Sequence, residues 1–75
     1  MYKIKEENIE ALSKIKLVAY SELLGLSVPA LSVLFNGKAT TKLSTAKAIL
    51  SVAYNVSVTD SRMEELLEKH FTKMN

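Results

Sequence analysis

The side chains that can do chemistry in this sequence are few, and their types narrow the choices. His70 is the single imidazole and cysteine is absent, so neither a thiol nucleophile nor a Cys/His metal frame can be assembled. There is no Gly-rich phosphate loop. The carboxylates fall mainly in two groups, Glu6, Glu7 and Glu10 near the start and Glu64, Glu65 and Glu68 near the end. Catalysis needs a nucleophile or an acid/base pair held in an enclosing pocket. The chain is therefore expected not to be an enzyme, and to use no cofactor and no metal. A lone histidine near a C-terminal helix end is expected to act as a partner of the helix dipole. The remaining polar chemistry is concentrated in one stretch, as Ser27, Ser32, Asn36, Lys38, Thr40 and Lys42, interleaved with Val28, Pro29 and Val33. Hydroxyls, an amide and lysines suit phosphate oxygens or base edges, whereas exposed valines suit thymine methyls or another protein.

These residues need a scaffold, and hydrophobic spacing supplies it. With 75 residues, 48% hydrophobic and 24% charged, the chain reads as one globular domain covering residues 1–75. Ile9 and Leu12 predict a short first helix over 6–14. The run Leu17 to Leu24 predicts a second, stopped by Gly25, which takes a left-handed backbone without steric cost. Ser27 is placed to cap a third helix, with Pro29 tolerated in its first turn and Asn36-Gly37 ending it. A polar loop from Lys38 to Lys42 follows. Ser44 or Thr45 then starts a fourth helix, in which Ala46, Ile49, Leu50 and Ala53 form one buried stripe and Asn55 is the stop. Val56 and Val58 read as a hydrophobic connector. Ser61 and Glu64 have capping-box spacing, and Met63, Leu66, Leu67, Phe71 and Met74 continue as a helical stripe, with Glu65 and Lys69 pairing on the solvent side. The expectation is an all-α, compact five-helix bundle.

The segment Leu17 to Lys47 resembles the helix-turn-helix family of phage Cro proteins and phage repressors, including the related antitoxins. The resemblance is carried by Tyr20, Ser21, Leu24, Gly25, Leu26, Leu31, Leu34, Asn36, Gly37, Lys38, Ser44 and Ala46. Ser21 is small enough for two helices to approach, and Gly25 makes the sharp turn between them. Tyr20, Leu24, Leu26, Leu31 and Leu34 fill the wedge beneath. Asn36-Gly37-Lys38 is similar to the family's ending of its recognition helix. The resemblance implies a lambda-repressor-like fold and a role in transcription, with the helix Val28 to Phe35 entering the major groove of double-stranded DNA.

Within that frame, the outward positions of the third helix decide between two partners. If Leu31 and Leu34 face inward, then Ser27, Val28, Pro29, Ser32 and Val33 face outward, with Asn36 at the end. Bidentate Arg–guanine or Gln–adenine contacts supply about 1–3 kcal/mol of discrimination each. No residue from Leu23 to Phe35 is charged, and none is Gln, Asn, Arg or His. An apolar patch on a small protein marks a protein contact. The leading expectation is a phage-type antirepressor that docks this surface on a cognate repressor and blocks operator binding. The alternative is a Cro-like repressor binding DNA through the same residues, with Lys38, Thr40 and Lys42 holding phosphates, or an antitoxin-type autoregulator, whose family shares the run Asn36 to Ala39.

The net charge of +2 is modest for a nucleic-acid binder. Glu6, Glu7 and Glu10 read as a solvated flank, or as an acidic edge able to meet a partner's DNA-binding surface. Phe71 and Met74 are the candidates for pairing two copies into a homodimer. No stretch is apolar enough to span a membrane, and the first residues lack the apolar core of a signal peptide, so a cytoplasmic location in a bacterial host cell is expected.

Overall fold

In the computed structural model, which describes residues 1–74, the two ends of the chain meet. β1 (Tyr2–Ile4) lies antiparallel to β2 (Phe71–Lys73), with Ile4 opposite Phe71 and Tyr2 opposite Lys73. Between them run a 3₁₀ turn (Glu6–Asn8) and five helices: α1 (Ile9–Ser13), α2 (Leu17–Leu24), α3 (Val28–Phe35), α4 (Leu43–Tyr54) and α5 (Met63–His70). The described residues form a mostly helical domain with five helices, to which the ends of the chain add a small two-stranded sheet. The expected sixth-residue start of the first helix is a 3₁₀ turn, and the expected end of the last helix is a strand. The cause lies in Tyr2-Lys3-Ile4-Lys5, where apolar and charged residues alternate with the period of a half-buried strand. Ile4 and Phe71 both turn into the core while Lys3 and Thr72 face solvent. β1 also bridges Thr41, exchanging Tyr2 N–H to Thr41 O at 2.7 Å and Thr41 N–H to Tyr2 O at 2.8 Å.

The core is one cluster drawn from every helix, including Leu12, Tyr20, Leu31, Leu34, Ala46, Ile49, Leu50, Met63 and Leu67. Tyr20 is fully buried, and its hydroxyl donates to the Leu12 carbonyl at 2.7 Å, satisfying a group that the short α1 leaves open. Burial, with Tyr54 nearby, pushes its pKa up to about 12.

Helix ends use two copies of one device. Gly25 (φ +69°) ends α2 and Asn55 (φ +54°) ends α4, each in the left-handed region and each donating its N–H to a serine carbonyl four residues back. The same serines, Ser21 and Ser51, donate their hydroxyls to the carbonyls of Leu26 and Val56. Two expected starts differ. α4 begins at Leu43 after an extended Lys42, not at Ser44 or Thr45, and no side chain caps it. The Ser61–Glu64 capping box does not form. Asp60 takes the amide of Arg62 at 2.8 Å and its guanidinium at 3.1 Å, so the turn is fixed one residue earlier. That contact is the one ion pair among the described residues, and it holds the Asp60 carboxyl below its ordinary range. Glu65 and Lys69 do not pair, and both are exposed.

Candidate interaction surface on the third helix

α2 and α3 are joined by Gly25, Leu26 and Ser27, and their directions turn through 118°. The tight turn is fixed from beneath and within. The Ser21 hydroxyl reaches across it to Leu26, while the rings of Tyr20 and Phe35 pack at 5.3 Å with a 56° tilt. Leu31 and Leu34 are buried, which orients the rest of α3. Val28 is 37% exposed and Val33 45% exposed, and Pro29 and Ala30 are exposed beside them. Ser32 is half-buried at the side of the helix, and Asn36 is exposed at its end.

The start of α3 has little left to offer an anion. The Ser27 hydroxyl accepts from Ala30 N–H at 3.2 Å, Leu31 N–H donates to the Ser27 carbonyl at 3.0 Å, and Pro29 has no N–H. Among the described residues, the amides of Ser27 and Val28 are the two left unbonded at this helix start. A phosphate seated on a helix start normally gathers several N–H groups. Ser27 is thus a capping residue whose oxygen is already engaged.

Two clefts flank α3. One, of about 250 Å³, lies toward α1 and α2 and is lined by Ile9, Ser13, Ile15, Leu17, Ser32 and Phe35. The other, of about 360 Å³, lies between α3 and residues 39–41, with Leu26, Ala30, Val33 and Leu34 facing Ala39 and Thr40. Lys38, Thr40 and Lys42 are all exposed, and the two lysines have no acidic partner among the described residues. Val33 and Thr40 thus share one cleft, Lys38 is tied to the end of α3 by its N–H to the Val33 carbonyl, and Lys42 follows Thr41 of the far wall, while Val28 and Pro29 lie in the first turn of α3 and Ser32 lines the cleft on its other side.

The acidic edge is divided. Glu6 borders the end of α3 beside Phe35 and Asn36, whereas Glu7 and Glu10 line a separate cleft with Lys14, Lys69 and His70. Phe71 is not available for self-contact: it is 3% exposed, because the chain leaves the helix at this residue and inserts the ring into the core. Met74 is 40% exposed. His70 is not a dipole partner at the surface. It is fully buried, bonded through Nε2 to the Tyr54 hydroxyl, with the rings 5.5 Å apart. Its Nδ1 is buried without a hydrogen-bond partner. Burial, and then the Lys69 charge, hold its pKa below the usual histidine value, with the Asn8 backbone partly opposing.

Two exposed apolar residues of α2 were not singled out by the sequence, Leu23 at 67% and Val18 at 56% exposed. For Val18 the signal is helical phase, since it shares a face with Glu22, four residues on, opposite buried Tyr20; no such signal marks Leu23, three residues after Tyr20. Among the described residues, no helix is long and apolar enough to cross a membrane. No protein-family model matches the chain, and neither a curated protein nor a solved structure is significantly similar to it.

Proposed function

We infer that this chain is a non-catalytic regulator of a phage-type transcription switch, acting as an antirepressor that seats α3 on a cognate repressor and keeps it from its operator. The observation that carries this reading is the solvent face of α3. It exposes Val28, Pro29, Ala30 and Val33, and no side chain from Val28 to Phe35 can make a bidentate contact with a base, the one amide being that of Asn36 at the helix end. The α2–α3 pair, with a three-residue turn containing Gly25 and a 118° change of direction, fits a helix-turn-helix of the lambda-repressor-like kind. In that arrangement α3 is the element that would meet the major groove. Its valines instead suit a folded neighbour, for which burial of apolar surface is favourable. The absence of an N–H at Pro29 and the engagement of the Ala30 and Leu31 amides leave two free amides, of Ser27 and Val28, for phosphate anchoring there.

Direct binding to double-stranded DNA is the second reading. It is supported by the helix geometry and by Lys38, Thr40 and Lys42, which stand exposed where phosphates would pass. The two readings separate in one titration. The protein is mixed with operator DNA at about 150 mM salt, where a few phosphate contacts give only weak binding, with and without a cognate repressor. Release of repressor from DNA, and a repressor complex in the absence of DNA, are expected. Tight, sequence-specific binding to the operator by this chain alone would refute the antirepressor reading, as would failure to bind the repressor.

A further inference from the structure

We propose that the cleft between α3 and residues 39–41 is a socket for one apolar side chain of the partner, flanked on that partner by carboxylates that meet Lys38 and Lys42. This rests on the protein-contact reading above and gives its partner a chemistry. The cleft, of about 360 Å³, has Leu34 as its floor, Ala30 and Val33 on one wall, and Ala39 and Thr40 on the other. Two of those wall residues are alanines, so the opening is wide enough for a leucine or phenylalanine side chain. No charged group lines it.

Both walls are fixed before any partner arrives. Gly37 N–H donates to Leu34 O at 3.0 Å and Lys38 N–H to Val33 O at 3.1 Å, which closes the end of α3 with Gly37 at φ +71°. Thr41 is tied to Tyr2 in both directions, which holds the far wall on β1. A preformed socket spends little of its binding energy on ordering.

Lys38 and Lys42 are the chain neighbours of Ala39 and Thr41, which line the cleft, and both are exposed without an acidic partner among the described residues. A partner presenting an apolar side chain between carboxylates satisfies both the floor and the rim. A phosphate backbone would meet the rim and leave the floor wet.

Two synthetic helical peptides test this directly, identical except that a central Phe is flanked one turn on either side by Glu in one and by Lys in the other. Amide shifts in a ¹⁵N-labelled sample are the readout. The Glu-flanked peptide is expected to move the amides of Ala30, Val33, Ala39 and Thr40, and to bind about tenfold tighter than the Lys-flanked one. Ala30→Trp, at an exposed position, fills the socket and is expected to abolish those shifts. Lys38→Glu with Lys42→Glu is expected to reverse the preference. Absence of shifts with both peptides overturns the socket, as do shifts that persist in Ala30→Trp. Shifts of Lys38, Thr40 and Lys42 with a mixed-sequence DNA duplex, but not with peptide, also overturn it, because they mark a phosphate-binding surface. Titration of the repressor separates the two levels of inference. Equal affinity for wild type and Ala30→Trp removes the socket and leaves the antirepressor reading standing, whereas no affinity for wild type removes the antirepressor reading itself.

Discussion

Replacing both exposed valines of α3, Val28→Asp with Val33→Asp, tests the protein-contact reading at its most sensitive point. Together the two side chains expose slightly less than one whole valine. Complete burial of a valine is worth about 1.5 kcal/mol, so covering this remaining surface contributes about 1 kcal/mol to docking. The larger effect is the introduced charge. A carboxylate pressed against an apolar surface without a partner costs at least about 1–3 kcal/mol. With one such penalty for each aspartate, the double variant should therefore weaken repressor binding by about 3–7 kcal/mol, or roughly a hundredfold to a hundred-thousandfold in Kd. Folding should lose only about 2 kcal/mol, from the part of each valine covered within the fold, because the helix electrostatics nearly cancel. Val28 is the first residue of α3 and Val33 lies in its last turn. An aspartate gains about 0.3–1 kcal/mol at the first position and loses a similar amount at the second. Isothermal titration against the repressor, with a thermal melt of the free variant, gives both quantities. Unchanged affinity would refute the assignment of this face. A fall in melting temperature much larger than this loss accounts for would refute the claim that both side chains lie at the surface.

Other expectations concern the frame that holds this face. Tyr20→Phe leaves the buried Leu12 carbonyl without its 2.7 Å donor and should cost about 1–3 kcal/mol in urea denaturation. Gly25→Ala meets no atom within 4 Å, so only the left-handed backbone at φ +69° opposes it, and a loss of about 1–2 kcal/mol is expected by the same assay. His70 should make stability fall in acid. Its folded-state pKa lies below its unfolded value, so its contribution is complete above the unfolded pKa and is lost as pH falls through the folded one. Melting temperatures measured between about pH 7 and pH 5 should decline in the wild type, and less steeply in His70→Gln.

The helices were legible because their limits are written locally. Gly25 and Asn55 stop α2 and α4 through their own backbone preferences, and Ser27 caps α3 with its own hydroxyl. The stripe Ala46, Ile49, Leu50 followed from spacing alone. The terminal sheet was not legible in the same way. Each strand is three residues long and buries its apolar side only against the other end of the chain. Phe71 falls four residues after Leu67, so a helical stripe and a departure into a strand place it equally well. Its partner Ile4 decides the matter, and no local signal joins them. His70 was misplaced for the same reason: Tyr54, which takes its ring nitrogen, lies on another helix. Of the candidate surface, the outward positions of α3 were readable from Leu31 and Leu34. The second wall of the cleft depends on the Tyr2–Thr41 bridge, a contact between distant segments.

The pairing of Ile4 with Phe71 governs when this domain can be finished during its own synthesis. Closing so long a stretch of chain carries an entropic cost that only the late core contacts offset. While the ribosome has yet to extrude Phe71, the growing polypeptide can make turns and local helices but cannot seal the interior around Ile4. Acquisition of the native state is thus a late, concerted event, and until then the valine-rich middle of the nascent chain is presented without its support.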